Sequence, residues 1–109
     1  SGYAPGTDSV AQFEKDYCET FDVDEVPNMF APLAYDAAML MAYGLKAAED
    51  AGLTAGTEEY KQAVIEAIKS MQGVEGITGT YSFDEYNNPI KSVAIIELSG
   101  GEEVFREMY

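Results

Sequence analysis

The period of the hydrophobic pattern changes once along this 109-residue chain, and this change limits the folds that the chain can adopt. From residue 8 to residue 73, apolar residues recur at intervals of three and four, the spacing of amphipathic helices. From residue 80 onward they alternate with polar residues, as they do in half-buried strands. The predicted order is therefore three helices followed by three strands. Parallel α/β folds place strands between their helices, so this order is awkward for a free-standing α/β domain, and the chain looks incomplete.

Residues with helix-start and helix-stop preferences bound the three predicted helices. The second helix is the longest and runs from Phe30 to about Ala51, with Pro32 in its first turn. Short polar side chains favour helix N-termini, and glycine favours the position just after a C-terminus. The expected caps and stops are Asp8 or Ser9, Gly52, Thr57 and Gly73.

Each predicted helix carries one broad apolar face. The face of the second helix consists mainly of small residues, which allow a helix to lie close to a sheet or to another helix; a methionine-lined ligand groove is the alternative. The three faces are Val10, Phe13, Tyr17 and Phe21; Ala34, Ala37, Ala38, Met41, Ala42, Leu45 and Ala48; and Tyr60, Val64, Ile65, Ile68 and Met71.

The strand region contains an acidic turn, DEYNNP, between the predicted strands at 80–83 and 90–98; a last strand is predicted at 103–109. A calcium-binding EF-hand loop requires glycine at its sixth position and glutamate at its twelfth, but Pro89 and Ile95 occupy them. We expect instead a turn in which Asn87 and Asn88 adopt backbone conformations that glycine usually takes.

Composition excludes several classes of function. The net charge of −14 opposes binding to nucleic acid and to anionic lipid, and otherwise serves solubility. Histidine is absent, which removes the commonest general base and metal ligand. The single cysteine, Cys18, allows no internal disulfide and is expected to be a half-buried structural thiol. We therefore predict no enzyme activity, no catalytic residue, no metal and no cofactor.

Two further features bear on the chain's context. No apolar run approaches the length of a membrane span, and the opening SGYAPGTDS is typical of the end of a connection. Phe30 stands at the start of the long helix, where an aromatic ring either packs on the first turn as a hydrophobic staple or lines a pocket.

Several short strings, in order, resemble the C-terminal third of the branched-chain amino-acid substrate-binding proteins of ABC transporters. These are extracellular ligand-binding receptors with the type I periplasmic-binding fold. The strings are Tyr35-Asp36-Ala37, Gly76-Ile77-Thr78-Gly79, Phe83-Asp84-Glu85, and Pro89 with Lys91-Ser92. Asn87 stands where the family has a turn glycine, which asparagine tolerates because it can enter the left-handed region. The first two-thirds of the family's length has no counterpart here, so the chain resembles a fragment.

This resemblance implies a division between two lobes. Residues 1–75 would be the helical part of the N-terminal lobe, 76–89 the inter-lobe crossing strand and turn, and 90–109 the terminal strands of the second lobe. Gly76, Thr78 and Gly79 would form part of the hinge. An incomplete part of such a fold leaves apolar surface open, so we expect the isolated chain to form a homodimer or larger assembly, with 76–89 near an exchanged segment. The surface expected to be left partly open is that of Ala34, Ala38, Met41 and Leu45 with Val64, Ile65 and Ile68.

The resemblance also implies a function. The longer protein would capture leucine, isoleucine, valine or a similar amino acid between its lobes and deliver it to an ABC permease. Phe30 would lie near the ligand's side chain, and Tyr35 would be a buried packing residue. The location would be extracellular, periplasmic or at the cell surface, with a lipid anchor in a Gram-positive organism. The alternatives are the ligand-sensing ectodomain of a signalling receptor with the same fold, and a free-standing acidic interaction domain.

Overall fold

The computed structural model describes residue 4 and residues 6–109. Part of the predicted opening connection, residues 1–3 and 5, lies outside the described residues. Within these residues, three helices come first: α1 (Asp8–Phe21), α2 (Phe30–Asp50) and α3 (Glu58–Lys69). Five strands follow in the same described part of the chain: β1 (Val74–Glu75), β2 (Thr80–Phe83), β3 (Pro89–Ile90), β4 (Ala94–Ser99) and β5 (Glu102–Met108). The predicted order of helices before strands is confirmed.

The strands form two antiparallel sheets. β1, β2 and β3 form one sheet in that order, and β4 pairs with β5 in a hairpin. The prediction of one strand over 90–98 was wrong, because the chain leaves the first sheet after Ile90 and starts a new one at Ala94. β1 was not predicted, since a strand of two residues has no readable alternation.

Local backbone signals were mostly interpreted correctly. The Thr57 hydroxyl caps α3 by accepting a hydrogen bond from the Tyr60 N–H at 3.3 Å, as expected. The cap of α1 is Thr7, one residue before the predicted Asp8 or Ser9. Gly52 has a φ of 72°, which suits the position after a helix.

The chain divides into two compact units. The first comprises the described residues up to Asp36 together with Ile77–Gly79 and Ser92–Tyr109. The second comprises Ala37–Gly76 and Thr80–Lys91. This division by packing does not test the predicted assignment of residues to two lobes, which stays a prediction.

The core of the second unit lies where α2 and α3 meet. Ala48, Tyr60 and Val64 are buried there, and the Tyr60 hydroxyl donates to Glu49 Oε1 at 2.9 Å. Gly44 is buried in the same place, and a Cβ atom added to it would lie 3.0 Å from a methyl carbon of Val64 and from Cγ1 of Ile68. A small residue of α2 therefore allows close helix packing, but this residue is Gly44, which the predicted face did not include.

The predicted apolar face of α2 is largely exposed within the described residues. Six of its seven members are exposed, and only Ala48 is buried. The stripe that this chain buries contains Asp36, Gly44 and Ala48, with Leu40 partly buried between them. This exposure agrees with the expectation that the face would be left partly open in an incomplete fold, although Val64 of α3, expected to be open with it, is buried. The buried stripe with its aspartate and glycine was not predicted.

Among the described residues, α2 is the longest helix, and neither it nor any other is apolar enough over enough length to cross a membrane.

Candidate functional site

The start of α2 presents Phe30. The side-chain oxygen of Asn28 accepts a hydrogen bond from the Phe30 N–H at 3.0 Å, which fixes the helix start at this residue. The Phe30 ring is 69% exposed. A ring this exposed is not packed as a staple on the first turn, so within the described residues it remains an open apolar surface at the helix mouth.

The loop before α2 borders a shallow cleft of about 600 Å³. Tyr17 of α1 forms one wall, and residues 23–28 of the loop form the rest. Asp24 and Glu25 give the loop negative charge, and Pro27 is its buried residue. The thiol of Cys18 is half-buried, as expected, and donates to the Glu25 carbonyl oxygen at 3.6 Å. The thiol therefore helps to hold the acidic loop against α1.

A second cleft in the same unit is lined by aromatic rings. It has a volume of about 400 Å³ and lies between the apolar side of α1, Tyr35 and Ile77. Phe13 and Tyr35 pack edge to face with their ring centres 5.3 Å apart. Tyr35 is nevertheless 53% exposed in this chain, and its predicted packing role in the longer protein stays a prediction. A contact with one ring cannot enclose a tyrosine, and the rest of the ring borders the cleft.

The predicted hinge residues lie in the loop that joins β1 to β2. Glu75 pairs with Thr80 across the two strands, so residues 76–79 form the four-residue connection. Gly79 has a φ of 141°, a conformation that residues with side chains rarely adopt. Thr78 is 5% exposed. The loop therefore combines an unusual backbone conformation with a buried threonine.

Asp36 holds this loop and was not predicted as a site residue. Its side chain is fully buried, at 0% exposure. Oδ1 accepts from the Ile77 N–H at 2.7 Å, and Oδ2 accepts from the Thr78 N–H at 2.8 Å and from the Thr78 hydroxyl at 2.6 Å. Asp36 lies four positions before Leu40 and therefore on the same side of the helix. If that side is buried, the charge of Asp36 requires hydrogen-bond donors, and this was the available sequence signal.

The acidic turn is held by its first residue. Asp84 Oδ1 accepts from the N–H groups of Tyr86 and Asn88, both at 2.8 Å, and Oδ2 accepts from the Asn88 side-chain amide at 3.1 Å. These bonds from Asn88, and then the bond from Tyr86, lower the pKa of Asp84 below its ordinary value. Asn87 has a φ of 64°, as predicted, whereas Asn88 is not in a left-handed conformation. The acidic turn is therefore closed by hydrogen bonds among its own residues.

In the part of the chain that the structure describes, potential metal ligands do not come together. Within it, no three acidic, cysteine or histidine side chains are grouped closely enough to hold a metal ion.

Comparison with known proteins identifies a family and a fold. The sequence profile of the periplasmic binding protein family matches residues 2–102. A search of curated proteins finds no match. Among solved structures, a leucine-binding protein, LivK, from Thermotoga maritima is similar with a TM-score of 0.73 and 22% identity. A solute-binding protein of an ABC transporter from R. palustris, in complex with benzoate, is similar with a TM-score of 0.71 and 20% identity.

The two alignments differ greatly in how much of each partner they cover. They span 96% and 99% of this chain but 27% and 28% of the two solved chains. The chain therefore corresponds to about a quarter of the length of these proteins. The predicted fold class, the C-terminal portion of a type I periplasmic-binding fold that is incomplete by itself, is confirmed.

Proposed function

This chain belongs to the periplasmic binding protein family, and we propose that the longer protein containing it binds a small solute between two lobes and delivers it to an ABC importer. The family match over residues 2–102 carries the proposal. The two similar structures, a leucine-binding protein and a solute-binding protein of an ABC transporter, support it. In such a protein, closure around the ligand is the function, and no covalent chemistry is required. We propose accordingly that it is not an enzyme and that it acts outside the cytoplasm.

Phe30 is the residue through which this chain would contact the solute. Its exposed ring lies at a helix mouth and provides apolar surface, which suits the side chain of leucine, isoleucine or valine. An aromatic solute would also stack on this ring. We therefore propose an amino acid with an apolar side chain as the ligand class and use benzoate as the comparison.

Calorimetric titration of the longer protein tests both points. We expect binding of at least one branched-chain amino acid, and we expect Phe30→Ala to weaken it by about tenfold or more while the melting temperature changes little, since an exposed ring contributes little to folding. Tyr86→Ala is the matched control, because Tyr86 is an equally exposed aromatic in the acidic turn. Its dissociation constant should equal that of the wild type.

The outcomes separate the parts of the proposal. Binding of benzoate but of no amino acid would overturn the proposed ligand class and leave the solute-binding function. Equal affinities for Phe30→Ala and the wild type would remove Phe30 from the site. If the site is shared between two lobes, the isolated 109-residue chain lacks most of its polar contacts. Micromolar affinity in that chain would therefore contradict a shared site.

A further inference from the structure

The buried carboxyl group of Asp36 and the loop at 76–79 form one hydrogen-bonded cluster. An ionised aspartate can only accept hydrogen bonds, and two backbone N–H groups and one hydroxyl donate to this one. The three distances lie between 2.6 and 2.8 Å, the range of hydrogen bonds to a carboxylate. Bonds to a buried charge are also among the stronger ones in proteins, because leaving such a group without donors is unfavourable.

The two residues that Asp36 holds are flanked by glycines. Gly76 precedes Ile77, and Gly79 follows Thr78. Glycine rotates more freely about its backbone bonds than any other residue, and Gly79 already occupies a conformation that other residues avoid. Thr78, in contrast, is buried and bonded through both its N–H and its hydroxyl group. The loop thus places two fixed residues between two flexible ones.

The hydrogen-bonded cluster of Asp36, Ile77 and Thr78 lies where the chain passes between the two compact units. Asp36 is the last residue of the first compact unit before α2 continues into the second. Ile77–Gly79 also belongs to the first unit, whereas the segments on both sides of it belong to the second. The carboxyl group of Asp36, at one passage of the chain between the units, therefore bonds Ile77 and Thr78, which belong to the short segment between two other passages.

We infer that Asp36 is a positioning residue that fixes Ile77 and Thr78, so that backbone rotation in this loop is confined to Gly76 and Gly79. The inference deepens the proposed function. Fixation of the loop by Asp36 does not depend on that function, but a role of the rotation in closure around a solute does. In the predicted hinge, Thr78 would then keep its backbone conformation while Gly76 and Gly79 change theirs.

Amide hydrogen exchange on the 109-residue chain tests this fixation without any ligand. In Asp36→Asn, one of the two acceptor oxygens becomes an NH₂ group, so an N–H of the loop loses its acceptor. We expect exchange to accelerate by about tenfold or more at whichever of Ile77 and Thr78 loses its acceptor, as loss of a charged hydrogen bond implies. Exchange at Val64, in α3, should stay at the wild-type rate.

Two further variants distinguish positioning from general stability. Asp50→Asn is the matched control, because Asp50 lies exposed at the end of the same helix and forms an ion pair with Lys46. It should leave the loop unchanged. Thr78→Val removes the hydroxyl donor and should accelerate loop exchange less than Asp36→Asn does, and Thr78→Ser should restore the wild-type rate.

Two results would overturn the inference. One is unchanged exchange at Ile77 and Thr78 in folded Asp36→Asn. The other is an equal acceleration at Val64 and in the loop, which would make Asp36 a residue of general stability. Either result leaves the proposed solute binding intact, and a longer protein that binds no solute would leave the exchange result intact.

Discussion

Replacing Gly44 with alanine tests the close packing of α2 on α3 in the second unit. The new methyl carbon would lie 3.0 Å from carbon atoms of both Val64 and Ile68. Nonbonded carbons are most stable at roughly 3.5–4.0 Å, so the approach is too close by about 0.5–1 Å. The two neighbouring side chains must therefore move, or the two helices must separate.

Two opposing effects determine the magnitude. Alanine stabilises a helix interior by about 1 kcal/mol relative to glycine. Overpacking a well-filled core destabilises it by about 1–3 kcal/mol. We expect overpacking to dominate, since both neighbours lie in or against the buried cluster of this unit. The net loss in the free energy of unfolding should be about 1 kcal/mol, which lowers the melting temperature by roughly 4 °C in a chain of this size.

Urea denaturation followed by circular dichroism measures this loss. Ala47→Gly is the matched control, because Ala47 is exposed on the same helix and its replacement reports helix propensity alone, at about 1 kcal/mol. Combining Gly44→Ala with Val64→Ala, which removes one of the two close methyl groups, should destabilise less than the sum of the single changes. A Gly44→Ala chain as stable as the wild type, or more stable, would refute the argument from close packing.

Two predictions concern the turn and the assembly. Because the folded pKa of Asp84 is lowered below its ordinary value of 3.8, the contribution of its carboxylate to the turn is present above that pH and is lost as the pH falls through the folded pKa. An NMR titration should therefore give an Asp84 pKa below 3.8, with amide exchange at Tyr86 and Asn88 rising at lower pH, and a pKa at or above 3.8 would contradict this account. Because Met41, Leu45 and Ile65 are exposed and apolar, light scattering at moderate salt should show a dimer or larger assembly of the isolated chain. A monomer of 11.8 kDa with a cooperative melt would instead favour a free-standing domain.

The sequence predicted features that depend on neighbouring residues. The helix starting at Phe30, the Thr57 cap and the left-handed Asn87 each follow from the residue type and its immediate context. The break after Ile90 could not be read in this way. Strand pairing decides it: Ile90 pairs with Ser82 in one sheet, and Val93 exchanges both backbone hydrogen bonds with Tyr109 at 2.8 Å. Residues 90–98 are equally strand-like throughout, so only the two partners distinguish one strand from two.

Phe30 and Asp36 both show that the local sequence does not reveal the contacts a side chain makes in the fold. An aromatic residue at a helix start was visible in the sequence, but nothing local indicated whether its ring would be covered. For Asp36, the chemistry was visible and the partner was not, because the groups that donate to it lie 41 and 42 residues further along the chain.

The side of α2 that this chain buries is not its most hydrophobic side, as expected of part of a larger fold. The stripe that is buried here contains Asp36 and Gly44, which scales of hydrophobicity rate as poor core residues, and it is stabilised by hydrogen bonds and by close approach. The face that the scales select, which includes Met41 and Leu45, stays exposed. Large apolar residues repeating at helical spacing are placed to be buried, and here the described residues do not bury them. The two similar solved chains are about four times as long as this chain. The exposed face of α2 is therefore the surface on which we expect either the rest of a longer protein or, in the isolated chain, a second copy to pack.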